Sequence, residues 1–202
     1  MQFDRAKLKT VILYTCSKCE PSKLGAVKLH KVLYFADMLH YAFIGTPITG
    51  ATYRKRPFGP TCDNLLPTLR ELKNEGGIEI RKSEYFGYQK KEYIARHDPE
   101  IERLSDEALA LLNDVIDFVC NNNTAKTISE YSHNRAWEMA EFGDVLQYHS
   151  VFHLFPTQVS QEAMEWASGE VSKIGAGKVG NEAVGDTTFR AFRNRVLEAR
   201  GQ

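Results

Sequence analysis

Apolar residues at Phe3, Ala6, Val11, Leu13 and Tyr14, with lysine and arginine between them, predict a first helix over residues 3–16. Asp4 sits where a carboxylate favours the positive end of that helix. Glu20-Pro21-Ser22 breaks the pattern, and Ser22 is placed to cap the next helix. Residues 23–44 are apolar on nearly every side until Gly45 and Pro47, the signature of a helix buried in a core. Residues 51–56 read as a short strand before the Pro57-Phe58-Gly59-Pro60 turn. Another helix starts at Thr61 or Asp63 and runs to about residue 74, with Pro67 delaying its start or kinking it.

Gly76-Gly77 ends that helix. The alternation at residues 78–81, the turn at residues 85–88 and the return at residues 91–95 predict a hairpin. Leu104, Leu109, Leu112, Val115, Ile116 and Val119 then follow helical spacing behind Ser105-Asp106-Glu107, and Asn121-Asn122-Asn123 stops them. Residues 124–133 form a short helix capped by Thr124. Residues 143–156 read as loop, and residues 160–172 as a last amphipathic helix. Taken together, these elements predict an α+β fold, predominantly α: a helical bundle with a small antiparallel β element in the form of a winged-helix-like hairpin. The domain spans residues 1–172. A Gly-rich linker covers residues 173–187, and a basic amphipathic helix and tail occupy residues 188–202, with Phe189, Phe192 and Val196 on one face. That helix is too short to persist alone in water and must dock, either on the chain's own acidic half or on a partner.

The net charge is zero but unevenly spread. Residues 1–97 carry 17 Lys/Arg against 9 Asp/Glu, and residues 98–172 carry 3 against 14. Such separation suits either a charged partner or attraction between the two halves. Lys28 and Lys31, three apart on the apolar second helix, share a face. Two ammonium groups there must reach solvent, a carboxylate or carbonyls. They form either a partner-facing stripe or pairs with the acidic half. Arg54-Lys55-Arg56 and Lys90-Lys91 fall on the strand regions, where cations either meet phosphate or solvate sheet edges.

No catalytic constellation emerges. Cys16 and Cys19 are spaced like half a zinc site, but no second pair or Cys/His cluster follows, so reduced cysteines at a helix end are expected. None of the six histidines has metal-helix spacing, and no phosphate-binding loop or nucleophile elbow is present. Ser132 and His133 are adjacent and diverge by about 100° on a helix, so His133 reads as a hydrogen-bonded structural group. No cofactor and no metal is expected. No apolar run reaches the ~20 residues a bilayer requires, and the N-terminal residues lack a signal core. The expected location is cytoplasmic.

Four stretches carry a resemblance. Lys28-Leu29-His30-Lys31-Val32-Leu33-Tyr34-Phe35-Ala36 resembles the KLxKLLYfA signature of the SocA-like Panacea domain. Gly45-Thr46-Pro47-Ile48, the Phe58-Gly59-Pro60 turn and the stretch from Ile128 through His133 to Trp137 match later elements in the correct order, across residues 23–170 or so. His30 stands where Gln or Asn is common, and Phe58 where Tyr is common. The resemblance implies an antitoxin that neutralises a cognate toxin by direct binding. In one branch it implies delivery of the toxin to a ClpXP-type protease. Leu29, Leu33, Tyr34, Phe58, Gly59, Pro60, His133 and Trp137 are then structural motif residues, with Leu29, Leu33 and Trp137 buried, Phe58 in the core, and the Phe58 turn close to the second helix. Lys28, Lys31, Phe189, Phe192 and Val196 are the candidate partner contacts. The alternative reading is a winged-helix-like DNA-binding transcriptional regulator. A membrane partner is not expected.

Overall fold

The computed structural model describes residues 2–154 except residue 86. The expected helix at residues 160–172, the linker and the terminal helix with Phe189, Phe192 and Val196 lie outside the described residues.

Helix α1 (Arg5–Lys18) begins where Asp4 accepts the Lys7 amide at 2.9 Å. Helix α2 (Ala26–Ile44) is the axis of the fold. Leu29, Val32, Phe35, Met38 and Leu39 along it are fully buried, each contributing roughly 1.5–3 kcal/mol. Helices α1 and α4 (Asp106–Ile116), the short α5 (Ala125–Tyr131) and a 3₁₀ segment (Tyr148–Leu154) surround it. No described helix is long and apolar enough to cross a membrane. Gly45 ends α2 in the left-handed conformation, its amide returned to Tyr41 O at 2.8 Å.

Two antiparallel pairs make the β element. Strands β1 (Tyr53–Arg54) and β2 (Thr61–Cys62) pair across the aromatic turn, and β3 (Ile78–Tyr85) and β4 (Tyr88–Ala95) form the expected hairpin. Helix α3 (Leu65–Asn74) lies between them, and its Pro67 falls in the first turn, where no intrahelical donor is lost. The acidic half meets β1 through its backbone. Leu146 N donates to Tyr53 O at 2.8 Å, Lys55 N to Asp144 O at 3.0 Å, and Gly143 N to Lys55 O at 3.1 Å.

The chain departs from its sequence reading at several points. Ser22 does not cap α2; Gly25 holds that position with no side-chain bond. Thr61–Cys62 is strand rather than helix start, because the aromatic turn folds it back on β1. Of the loop expected at residues 143–156, residues 143–147 are irregular as read, but residues 148–154 form the 3₁₀ segment; before them lies a short helix not anticipated, α6 (Arg135–Met139). Phe58 is 69% exposed rather than core, and Trp137 is half-buried.

Candidate protein-binding site

Lysines 28 and 31 leave α2 in different directions. Lys31 is 1% exposed and donates to Pro60 O at 2.9 Å, so it holds the aromatic turn and is not available as a partner-facing group. Lys28 donates to Cys120 O at 2.9 Å. The cations of the basic half reach the acidic half through carbonyls rather than carboxylates: Lys28 in this way, Arg54 at Gly143 O (2.9 Å) and Lys55 at Ala140 O (2.9 Å). Burial pushes the Lys31 pKa down to about 7. The neutral amine still donates to Pro60.

That burial has a pH signature. Between about pH 7 and the ordinary lysine range the unfolded chain holds a proton that folded Lys31 has released. Stability therefore rises with pH across that window. The unfolding free energy of the wild type minus that of Lys31→Met should grow by about 2 kcal/mol from pH 6 to pH 9. Urea titrations of both proteins at the two pH values measure it, and a constant difference would show that Lys31 stays charged in the fold.

Around the Lys31–Pro60 contact the remaining motif residues interlock. Gly59 has φ +84°, and a Cβ on it would lie 2.2 Å from Ser132 Oγ and 2.6 Å from Lys31 Nζ. Ser129 Oγ donates to Phe58 O at 3.0 Å. Asn134, the N-cap of α6, donates to the Tyr34 hydroxyl at 3.0 Å, and Trp137 Nε1 donates to Arg56 O at 3.3 Å. Leu29, Leu33 and Tyr34 are buried beneath. Ser132 Oγ donates to Ser129 O at 2.7 Å, so its hydroxyl is not offered to His133. His133 is not the hydrogen-bonded group expected. Its Nε2 is shielded with no partner among the described residues, and its ring stacks on Trp137 with centroids 3.9 Å apart. Burial lowers its pKa, with Lys31 adding to the effect.

The outer face of this junction is aromatic and cationic. Lys55 Nζ lies 4.2 Å from the Trp137 ring centroid, and the Arg56 guanidinium 5.3 Å from that of Phe142. Phe58, Met139 and Phe142 flank it, at 69%, 72% and 67% exposure. The Arg54-Lys55-Arg56 cluster is thereby committed to carbonyls, rings and the Asp63 carboxylate (2.6 Å from Arg54). It does not project as a phosphate-binding wing.

Two groupings escaped the sequence reading. Asp37, fully buried on α2, faces Thr49, Tyr53 and Tyr148. A lone carboxylate between Ala36 and Met38 was the available signal. The buried thiols of Cys19 and Cys120 lie near each other, with Cys16 close by. Burial raises the Cys16 thiol to about 12, and the interaction with Cys120 raises that of Cys19 while lowering its partner's. No group of three or more His, Cys, Asp and Glu among the described residues is arranged to hold a metal.

A family model described as "Antitoxin SocA-like, Panacea domain" matches residues 29–138, from the first motif leucine to the residue after Trp137. No curated protein and no solved structure matches the chain.

Proposed function

We infer the function from one premise: this chain belongs to the antitoxin SocA-like, Panacea domain family. It neutralises a toxin protein by binding it directly, and the contact is made on the junction of the aromatic turn with α6. The observation that carries this reading is the exposure of Phe58, Met139 and Phe142 on elements that the Ser129–Phe58, Trp137–Arg56 and Arg56–Phe142 contacts join. Large apolar side chains clustered on a surface mark interaction sites. Aromatic residues, methionine and arginine are the types enriched in protein interfaces, where a few of them dominate the binding energy. Direct binding is the step common to simple occlusion of a toxin and to its delivery to a ClpXP-type protease. The action is by binding rather than catalysis. The serine nearest the motif histidine is committed to a helix carbonyl.

The double variant Phe58→Asp/Phe142→Asp tests this. Both residues are exposed, so the melting temperature should stay within about 2 °C of the wild type. Growth rescue on co-expression with the cognate toxin should be lost. Full rescue by the double variant would remove the junction from the interface. The winged-helix reading predicts instead that the wild type binds duplex DNA with a steep salt dependence.

A further inference from the structure

Opposite in character to the aromatic junction, a second concavity of about 860 Å³ opens where the start of α2, strand β4 and the start of α5 meet. Lys23, Lys28, Lys90, Lys91 and Lys126 line it, drawn from separate stretches of the chain. No aspartate or glutamate is among its described lining residues. Lys91 is exposed, and the Lys23 and Lys126 side chains are 52% and 85% exposed. Lys28 lies at the floor, bonded to Cys120 O, and Lys90 bonds Ser22 O. The carboxylates paired with the rim, Glu20 at 3.6 Å from Lys23 and Glu130 at 3.9 Å from Lys126, are exposed and outside the lining. Such pairs hold weakly and exchange readily. Ala26, Val27 and Ala125 add apolar surface between the ammonium groups.

Like charges gathered in one concavity repel. At the floor burial lowers the Lys28 pKa; the neighbouring Cys120 and Cys19 thiols partly offset this, and the ammonium groups of Lys90 and Lys23 add smaller lowering contributions. A fold gains nothing in stability from this arrangement. It gains a positive field focused in a cleft, which attracts and orients an anionic ligand. The start of α2 at Gly25, with no side-chain cap and no acidic residue in its first turn, adds its positive end to that field.

We propose that this groove binds an acidic segment of the partner protein, with carboxylates on the lysine rim and apolar side chains against Val27 and Ala125. The proposal rests on the toxin-binding reading and adds a second, electrostatic contact to it. A polypeptide is favoured over nucleic acid because the alanine and valine surface between the lysines suits interleaved apolar side chains. A phosphate backbone would leave that surface unused. The role of such a contact is steering and selection among partners more than raw affinity. It gives a shared fold a means of accepting one toxin and refusing another.

The test uses the full chain and a fluorescein-labelled peptide of repeating Glu-Glu-Leu, read by anisotropy as salt is raised, with duplex DNA as the competing probe. The wild type should bind the peptide more tightly than the DNA, with affinity falling as salt rises. Lys91→Glu/Lys126→Glu, two exposed substitutions, should weaken peptide binding about tenfold or more. Lys91→Gln/Lys126→Gln should give a smaller loss in the same direction and serves if charge reversal disturbs folding. Phe58→Asp/Phe142→Asp should keep full peptide affinity while losing neutralisation, so the two surfaces fail separately. Unchanged peptide affinity in both lysine variants would overturn the groove and leave toxin binding at the junction standing. Tighter binding to DNA than to peptide would make the groove a nucleic-acid surface and overturn the proposal.

Discussion

Gly59→Ala should lower the unfolding free energy by about 2–4 kcal/mol, a large share of a typical domain's stability. The backbone there has φ +84°, where an L side chain meets its own carbonyl. The added methyl would also lie 2.2 Å from Ser132 Oγ, 2.6 Å from Lys31 Nζ and 3.2 Å from His133 Cδ2. Neither Ser132 nor Lys31 can easily yield. Ser132 is fully buried with its hydroxyl bonded to Ser129 O, and Lys31 is anchored on Pro60 O. Gly45 separates the two causes, having φ +83° with nothing within 4 Å of a built Cβ. Gly45→Ala should therefore cost only about 1 kcal/mol. Ser132→Ala in the Gly59→Ala background should recover part of the loss, because it removes the nearest atom. Equal costs at the two glycines in urea denaturation would mean that the turn is not clamped between α2 and α5.

Asp37→Ala should be comparably damaging, at about 3–4 kcal/mol, while Asp37→Asn should cost far less. The carboxyl group accepts Thr49 N at 2.7 Å and Thr49 Oγ1 at 2.5 Å, and the Tyr53 and Tyr148 hydroxyls approach it at 2.8 and 3.2 Å. Each tyrosine has a single proton and a second acceptor, Leu33 O at 2.8 Å and Ala51 O at 2.6 Å. A protonated Asp37 resolves the competition: it donates to one tyrosine oxygen while both tyrosines donate to their carbonyls. Burial raises its pKa in the same direction, outweighing the hydrogen bonds that favour the anion. Asparagine reproduces the neutral acid, with an acceptor for Thr49 and an amide to donate. The sign of the pH dependence comes from the same shift. Folded Asp37 holds its proton to higher pH than the unfolded chain, so its contribution is greatest in acid and declines as pH rises through the raised pKa. That decline should vanish in Asp37→Asn. A destabilisation by asparagine as large as that by alanine would show an ionised Asp37.

The particular residues explain what was legible in the sequence. The apolar periodicity of α2 and α4, the hairpin over residues 78–95, the helix starts at Asp4 and Ser105 and the Thr124 cap are local signals, and each is realised. What escaped depends on contacts distant along the chain. Thr61–Cys62 is strand only because β1 lies opposite, and Tyr148 is ordered by Asp37, 111 residues away. Phe58 and Trp137 read as core because large aromatics usually are. Trp137 instead stacks on His133 at the rim, and Phe58 points outward from a turn whose backbone, not its ring, is held. Lys31 shows the reverse, a charge-bearing residue whose burial answers a carbonyl, which composition cannot reveal.

Toxin neutralisation by direct contact at the Phe58–Trp137 junction is tested most directly by mixing the purified chain with its purified cognate toxin. Complex mass and heat of binding are then followed for the wild type and for Phe58→Asp/Phe142→Asp. A stoichiometric complex for the wild type, absent from an equally stable double variant, is the predicted result. Growth rescue in cells with no complex between the purified proteins would contradict it.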